Sequence, residues 1–377
     1  MLFNEQKIIS AENNFAELKK YISHINMKKI LLVHGNSFYK LPLADFFLSL
    51  EIPVVHFTDF SPNPIYESVL NGLKIYRKNN CDGIIAVGGG SAIDVAKCIK
   101  LFANMNDSVD CLKQKIIPNN IPLTAIPTTA GTGSESTHFA VIYRNGKKFS
   151  VADKSALPSA VMFDPTFLMT LPLYQKKAGL LDALCHAIES SWAVKSSEES
   201  RSFSFESIRL ICAYKDSYLT ENPSENCRAY IFYASRLAGM AINLSKTTAG
   251  HALSYKLTSK FGISHGHSAA LCVARVWNYM NQNLNCAINE ELKIQLPQTF
   301  QRIAECMGFK NVDSAISGFQ KFLTDLNLAE PLDINFDEKD IEDLVESVNL
   351  ERLSNNPIIL DKSAISNIYK LILSGKF

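Results

Sequence analysis

The stretch GIIAVGGGSAIDVAK, residues 83–97, decides the fold. An apolar run ends in Gly88, Gly89, Gly90 and Ser91, and a pattern of helical period begins at once. Apolar residues at every position of the run predict a strand buried on both faces, the habit of a parallel sheet covered by helices. Glycines at the turn let the backbone approach an oxyanion closely. The first amides of the following helix then donate to it, with the positive end of the helix dipole behind them. The same glycines occur in plain turns, but the strand-to-helix setting favours phosphate binding. The spacing is not GxGxxG, so the common dinucleotide fingerprint is absent.

Outward from this stretch, KKILLVHG (28–35), PVVHF (53–57), PLTAIP (122–127) and AVMFDP (160–165) have the character of buried strands. Between them, PIYESVLNGLKIYRKNN (64–80) and SAIDVAKCIKLFAN (91–104) are helical in period. Strand and helix alternating in this way predict a mostly parallel, Rossmann-like α/β sheet. FAVIYRNGKKFSVA (139–152) interrupts it, and Asn145-Gly146 between two alternating runs predicts a hairpin. A second polar loop, AIPTTAGTGSESTHF (125–139), offers the hydroxyls of Thr128, Thr129, Thr132 and Ser134 among small residues. These are nucleotide contacts, a capped helix start with Ser134 and Glu135 as caps, or both at once. Open sheets place ligands at the ends of adjacent strands, so two such loops predict one extended nucleotide.

Beyond Asp164-Pro165 strand patterns nearly vanish. Residues 174–194, 197–219 and 227–244 predict long helices, with Pro223 and Pro297 as breaks. The domains expected are an α/β dinucleotide-binding domain over 1–165 and an all-α metal-binding and substrate domain over 166–377.

The second half carries a set of possible metal ligands. Asp182 and His186 stand four apart in LDALCHAIESSWAV, and His251 and His265 follow in GHALSYKLTSKFGISHGH. An i, i+4 pair lies on one helical face, so a carboxylate and an imidazole there reach one ion. Each position alone reads as an ordinary helical residue. Together with an independent phosphate cradle they point to metal chemistry, and one Asp with three His suits iron or zinc.

Composition narrows the remaining classes. The chain has 377 residues, 47% hydrophobic and 20% charged, with 38 basic against 37 acidic residues and a net charge of +1. It is therefore a globular protein of about two domains, and with no dense basic stripe it is not expected to bind nucleic acid or anionic membranes. MLFNEQKII lacks the layout of a signal peptide and no apolar run nears the ~18 residues of a span, so a cytoplasmic location is expected. Nine cysteines, an odd number with no CxxC pair, predict free thiols. Cys185, beside His186, is not expected to be a nucleophile, because helical neighbours point about 100° apart.

GGGSAIDVAK, PTTAGTGSE, DALCHAIES and the His251/His265 pair, in this order and at these separations, resemble the iron-dependent (group III) alcohol dehydrogenase family. The resemblance runs from the first strand to NNPIIL near the end. It implies a nucleotide-binding α/β domain followed by a helical domain, one divalent metal (Fe2+ foremost, Zn2+ as the alternative) and NADPH or NADH. By the same resemblance Asp182, His186, His251 and His265 are metal ligands. Gly88, Gly89, Gly90, Ser91, Asp94, Thr128, Thr129, Thr132 and Ser134 match the cofactor loops, and Lys148 matches a lysine near the nicotinamide ribose. A homo-oligomer, dimeric or larger, is also implied.

Departures from the family pattern carry the specificity. Relatives selective for NADH usually have an acidic residue after the first strand, where this chain has Gly35, Asn36 and Ser37, so NADPH is expected to be accepted. Many relatives carry a further histidine one turn after the metal histidine that His251 matches. This chain has Tyr255 there and His267 two places beyond His265, leaving Tyr255, His267, a ribose hydroxyl or water to relay the proton. Lys246, Thr247 and Thr248 replace small residues before His251 and are either an anion clamp on the substrate or a solvated helix end. SSEESR (196–201) and KTTAGHALSYKLTSKFGISHGH (246–267) resemble the branch that reduces phosphonoacetaldehyde to 2-hydroxyethylphosphonate. The expectation is thus a metal-dependent NAD(P)H reductase of a short, anionic aldehyde. A general alcohol or diol dehydrogenase of the family is the nearest alternative, with a dehydroquinate-synthase-like lyase or a nucleotide or metal sensor further off.

Overall fold

A computed structural model describes residues 6–106, 108–329, 336–348 and 353–375. It forms two compact units, Met1–Thr170 and Leu171–Phe377.

In the first unit the strands are β1 Lys7–Ser10, β2 Ile30–His34, β3 Val54–Phe57, β4 Gly83–Gly88, β5 Leu123–Pro127 and β8 Ala160–Phe163. They form one sheet in the order β1-β8-β5-β4-β2-β3, every pairing parallel. Its helices are α1 Glu12–His24, α2 Leu43–Leu48, α3 Tyr66–Lys78 and α4 Gly90–Phe102. Alternate residues of the central strands supply two cores. Leu31, Val33, Ile84, Ala86, Leu123 and Ala125 pack with the apolar sides of α3 and α4. Ile30, Leu32, Ile85, Val87 and Ile126 pack on the other face with residues of α1 and α2. Strands covered on both faces need apolar residues at every position, which is why β2 and β4 have no polar alternation.

β1 is the strand that sequence patterning missed. Only Ile9 of its four residues is buried, because it pairs with β8 at the sheet edge. The hairpin lies where Asn145-Gly146 placed it, between β6 Phe139–Arg144 and β7 Lys147–Ala152. Both turn residues have positive φ, 49° and 71°, as the tight turn that matches strand twist demands.

The chain leaves β2 for β3 on one side and returns through β4 on the other. The carboxyl ends of β2 and β4 therefore flank the point where strand order reverses, the place where open sheets bind ligands. His34 registers with Val87 there, so the loops beginning at Gly35 and Gly88 start side by side.

The second unit contains α5 Leu173–Trp192, α6 Glu198–Tyr218, α7 Glu225–Ser245, α8 Ala249–Phe261, α9 His265–Gln282, α10 Glu290–Cys306, α11 Val312–Asp325, α12 Glu338–Glu346 and α13 Lys362–Leu373. Ser197, Ser224 and Asn289 cap α6, α7 and α10 through their side chains, satisfying first-turn amides that have no helical partner. Pro223 falls between α6 and α7 as expected. Pro297 does not break a helix; it lies inside α10 on its exposed side. Leu296 and Phe300 beside it are buried, so packing holds the helix together across the missing hydrogen bond. Among the described residues no helix is long and apolar enough to cross a membrane. The nine cysteines are free thiols.

Candidate active site

In the first unit the two polar loops meet. Gly88 has φ +155°, a conformation that disfavours side chains, and its carbonyl accepts from the Thr128 amide at 3.0 Å. A methyl group on Gly90 would stand 2.9 Å from the Thr132 side chain. The glycines are thus required for the hydroxyl loop to lie against the start of α4. That helix begins at Gly90 with no side-chain cap, leaving its first amides for an outside acceptor. Ser91, Thr129 and Thr132 are half-buried and Thr128 is buried. Gly35 is half-buried, Asn36 and Ser37 are exposed, and a side chain added at Gly35 meets nothing within 4 Å.

The capped-helix reading of Ser134 and Glu135 is corrected. Ser134–Ser136 is a single 3-10 turn without a side-chain cap, and the Ser134 hydroxyl instead donates to Asp94 at 2.5 Å. Asp94 also accepts from the Val141 amide at 2.9 Å. It therefore joins α4 to the loop and to β6. Burial raises its pKa against the opposing pull of Lys97, Ser134, Val141 and Lys148. Lys148, half-buried on β7, is thus within electrostatic reach of Asp94.

In the second unit α5, α8 and α9 converge on the metal candidates. Asp182, His186 and His251 are buried, with ligand atoms all within 4.8 Å of one another. The His186 and His251 rings stack at 4.4 Å. His265, the first residue of α9, lies with its ring 5.3 Å from that of His251. Gly262, at φ +68°, ends α8 so that α9 turns back toward it. Asp182 Oδ1 and His251 Nε2 are buried, 3.5 Å apart, and have no hydrogen-bond partner among the described residues. Buried polar atoms left in this way are costly unless a cation satisfies them, and one carboxylate with imidazoles is a donor set for a divalent transition metal. The residues therefore fit such an ion.

The electrostatics agree. Burial raises the Asp182 pKa, but the surrounding histidines, His186 first, outweigh it and hold the carboxyl well below its usual range. Burial lowers the His251 pKa, but the Glu189 and Asp182 carboxylates carry it up to about 9. The site is built to hold positive charge.

Glu189 is a residue that sequence reasoning missed. Its carboxylate accepts from His251 Nδ1, from the His251 amide at 3.2 Å, and from the Thr248 amide and hydroxyl at 3.1 and 2.7 Å. Binding Nδ1 this way turns Nε2 toward Asp182 and fixes the tautomer that ligates metal. The signal was available: Asp182, His186 and Glu189 follow the i, i+4, i+7 stripe of one helical face. Asn355, in NNPIIL, was also missed. Its amide donates to the carbonyls of Ser245 and Thr247 at 2.8 and 3.0 Å, clamping the turn that leads into α8.

Two expectations are corrected here. Thr248 is fully buried, its hydroxyl donating to Glu189 and accepting from Trp192 Nε1 at 2.9 Å, so it braces Glu189 and does not face a substrate. His267 is also fully buried, with Nε2 against the Leu328 carbonyl at 3.1 Å and Nδ1 against the Tyr174 hydroxyl at 3.3 Å. Two places along a helix is about 200° of rotation, so His265 and His267 point apart. His267 is a structural histidine. Tyr255 is half-buried and stacks on His265, ring centroids 5.6 Å apart and planes 9° apart. Lys246 is exposed and Thr247 half-buried. Cys185 is fully buried, and burial pushes its thiol well up, against any nucleophilic role.

Comparison with known proteins agrees with this architecture. The model of the iron-containing alcohol dehydrogenase family matches residues 5–165. The model of the C-terminal part of Fe-containing alcohol dehydrogenases matches residues 177–373. Alcohol dehydrogenase 4 of Schizosaccharomyces pombe is 29% identical over 94% of this chain and 85% of its own. Phosphonoacetaldehyde reductase of Streptomyces viridochromogenes is 27% identical over 78% of this chain and 76% of its own. The crystal structure of sulfoacetaldehyde reductase from Bifidobacterium kashiwanohense in complex with NAD+ superposes with a TM-score of 0.87, at 27% identity, over 98% of this chain and 97% of its own. The chain belongs to the iron-containing alcohol dehydrogenase family, oxidoreductases that interconvert alcohols and aldehydes.

Proposed function

We propose that this enzyme reduces a short aldehyde carrying a tetrahedral oxyanion, foremost phosphonoacetaldehyde to 2-hydroxyethylphosphonate, and that it accepts NADPH as well as NADH. The observation that carries the substrate reading is Lys246. This exposed cation has φ +63° and ψ 175°, a region that costs a residue with a side chain of order 1–3 kcal/mol. The turn is over-determined by Asn355 and by the Ser245 hydroxyl, which donates to the Lys246 carbonyl at 3.0 Å. A strained cation five residues before His251 is a reason to look for an anion. Two relatives bear the names phosphonoacetaldehyde reductase and sulfoacetaldehyde reductase, both short aldehydes with an anionic head.

A divalent ion at Asp182, His186, His251 and His265 supplies Lewis-acid polarisation of the aldehyde, and a reduced nicotinamide supplies hydride. The residues of this chain orient and protonate. Glu189, braced by Thr248, orients His251, and Tyr255 against His265 is the proton relay in this reading. Lys246 and Thr247 hold the oxyanion.

Lys246→Gly tests the substrate reading without a backbone penalty, since glycine adopts this conformation freely. A charge-assisted contact is worth roughly 1.5–3 kcal/mol, so kcat/KM for phosphonoacetaldehyde should fall about 10- to 150-fold. Propanal, which has no anion, should be unaffected, and sulfoacetaldehyde shows whether phosphonate is preferred. Equal loss on propanal would mean a disturbed metal site, and no loss on any aldehyde would end the anion reading.

The cofactor reading has its own test at Gly35. Open space around this position admits a carboxylate without a clash. Gly35→Asp should shift the NADH/NADPH ratio of kcat/KM toward NADH by roughly 10- to 100-fold, through repulsion of the 2′-phosphate. An unchanged ratio would show that this residue does not face the adenosine ribose.

A further inference from the structure

Lys97 lies in α4, one turn beyond Asp94, and is fully buried. Its ammonium donates to the Ser134 carbonyl at 2.5 Å, the Thr137 hydroxyl at 2.8 Å and the Phe139 carbonyl at 2.9 Å, with the Ser134 hydroxyl at 3.3 Å. Three N–H donors meet three close acceptors, all in the segment that follows the hydroxyl loop. A lysine so placed bears a heavy desolvation cost, which its close acceptors offset. It joins the helix whose N-terminus forms the glycine cradle to the segment that fixes Thr132 against Gly90.

We propose that Lys97 is a positioning residue for the nicotinamide cofactor: its ammonium latches the Ser134–Phe139 segment to α4 and so keeps the hydroxyl loop and the glycine cradle in register. The proposal rests on the reading of these two loops as the cofactor site. Around the ammonium stand Asp94 and Cys98 on α4 and Glu135 in the facing turn, while Lys148 on β7 acts on Asp94. Burial brings the Lys97 pKa down to about 8, against the pull of Asp94 and Glu135. The neutral amine has only two donors and leaves one acceptor of the segment without its partner. Binding that favours the ammonium form is therefore complete below pH ~8 and weakens above it.

NADH binding to the native enzyme, followed by nicotinamide fluorescence, should weaken about tenfold between pH 7 and pH 9.5. Lys97→Met should bind NADH about tenfold more weakly at pH 7, show no further weakening with pH, and keep kcat at saturating NADH within about threefold. Thr137→Val removes one acceptor and keeps the lysine; it should cost about threefold in Kd at pH 7, and it serves if the methionine variant does not fold. A Lys97→Met enzyme with native Kd, or with the native pH dependence, overturns the latch, as does a native Kd that is flat to pH 9.5. Failure of the native enzyme to bind NADH at pH 7 would overturn the cofactor reading itself, a result distinct from NADH binding that ignores Lys97.

Discussion

Asp182→Asn should purify without stoichiometric metal and turn over more than about 10³-fold more slowly than the native enzyme. The substitution keeps the shape of the side chain and removes its charge. At least two imidazoles and a neutral amide then remain around a point where Asp182 and Glu189 now outweigh the burial cost of positive charge on His251. Lewis-acid polarisation is worth several kcal/mol, and about 4 kcal/mol is ~10³ in rate. Glu189→Gln should be milder, weakening metal affinity about 10- to 100-fold, because Glu189 acts on the site through His251 and not as a ligand. Metal content by elemental analysis and kcat on a short aldehyde are the measurements, with circular dichroism to verify the fold. Stoichiometric metal and activity within tenfold of native in Asp182→Asn would remove Asp182 from the ligand set.

Gly266→Ala should be nearly as damaging, although it adds one methyl group and touches no ligand atom. A Cβ at this position would lie 2.0 Å from the Ala178 carbonyl oxygen and 2.7 Å from Asp182 Cβ. The first of these is backbone, so relief requires α9 to move away from α5. Gly266 follows His265 directly, and such a shift separates His265 from Asp182. Overpacking of this kind costs about 1–3 kcal/mol, enough to lower the Tm by roughly 5 °C. Metal affinity should fall in parallel. Thermal unfolding with and without added divalent metal checks both effects, and a variant with native Tm and native metal content would show that the contact between the helices yields at no cost.

Much of the molecule was legible from local pattern. Parallel-sheet strands announce themselves by apolar residues on both faces, and Asn145-Gly146 selects its turn through the backbone of two residues. The i, i+4 spacing of Asp182 and His186 places both on one side of a helix whatever surrounds it. Those statements depend on steric and periodic rules that act within about one turn or one strand.

Tertiary structure decided what these residues meet. Thr248 and His267 have the chemistry of substrate and proton contacts, yet partners 59 and 61 residues away occupy them. Glu189 and Lys97 drew no attention, because a buried charge is recognised only by what it pairs with, and their partners lie 62 and 37 to 42 residues distant. Pro297 survives inside α10 because Leu296 and Phe300 pack that helix into the core, and β1 exists because β8 offers an edge. Sequence determined which groups were available and which elements carry them. Only the packed fold determined which hydrogen bonds each group spends on structure and which it has left for chemistry, since that depends on contacts between segments far apart in the chain.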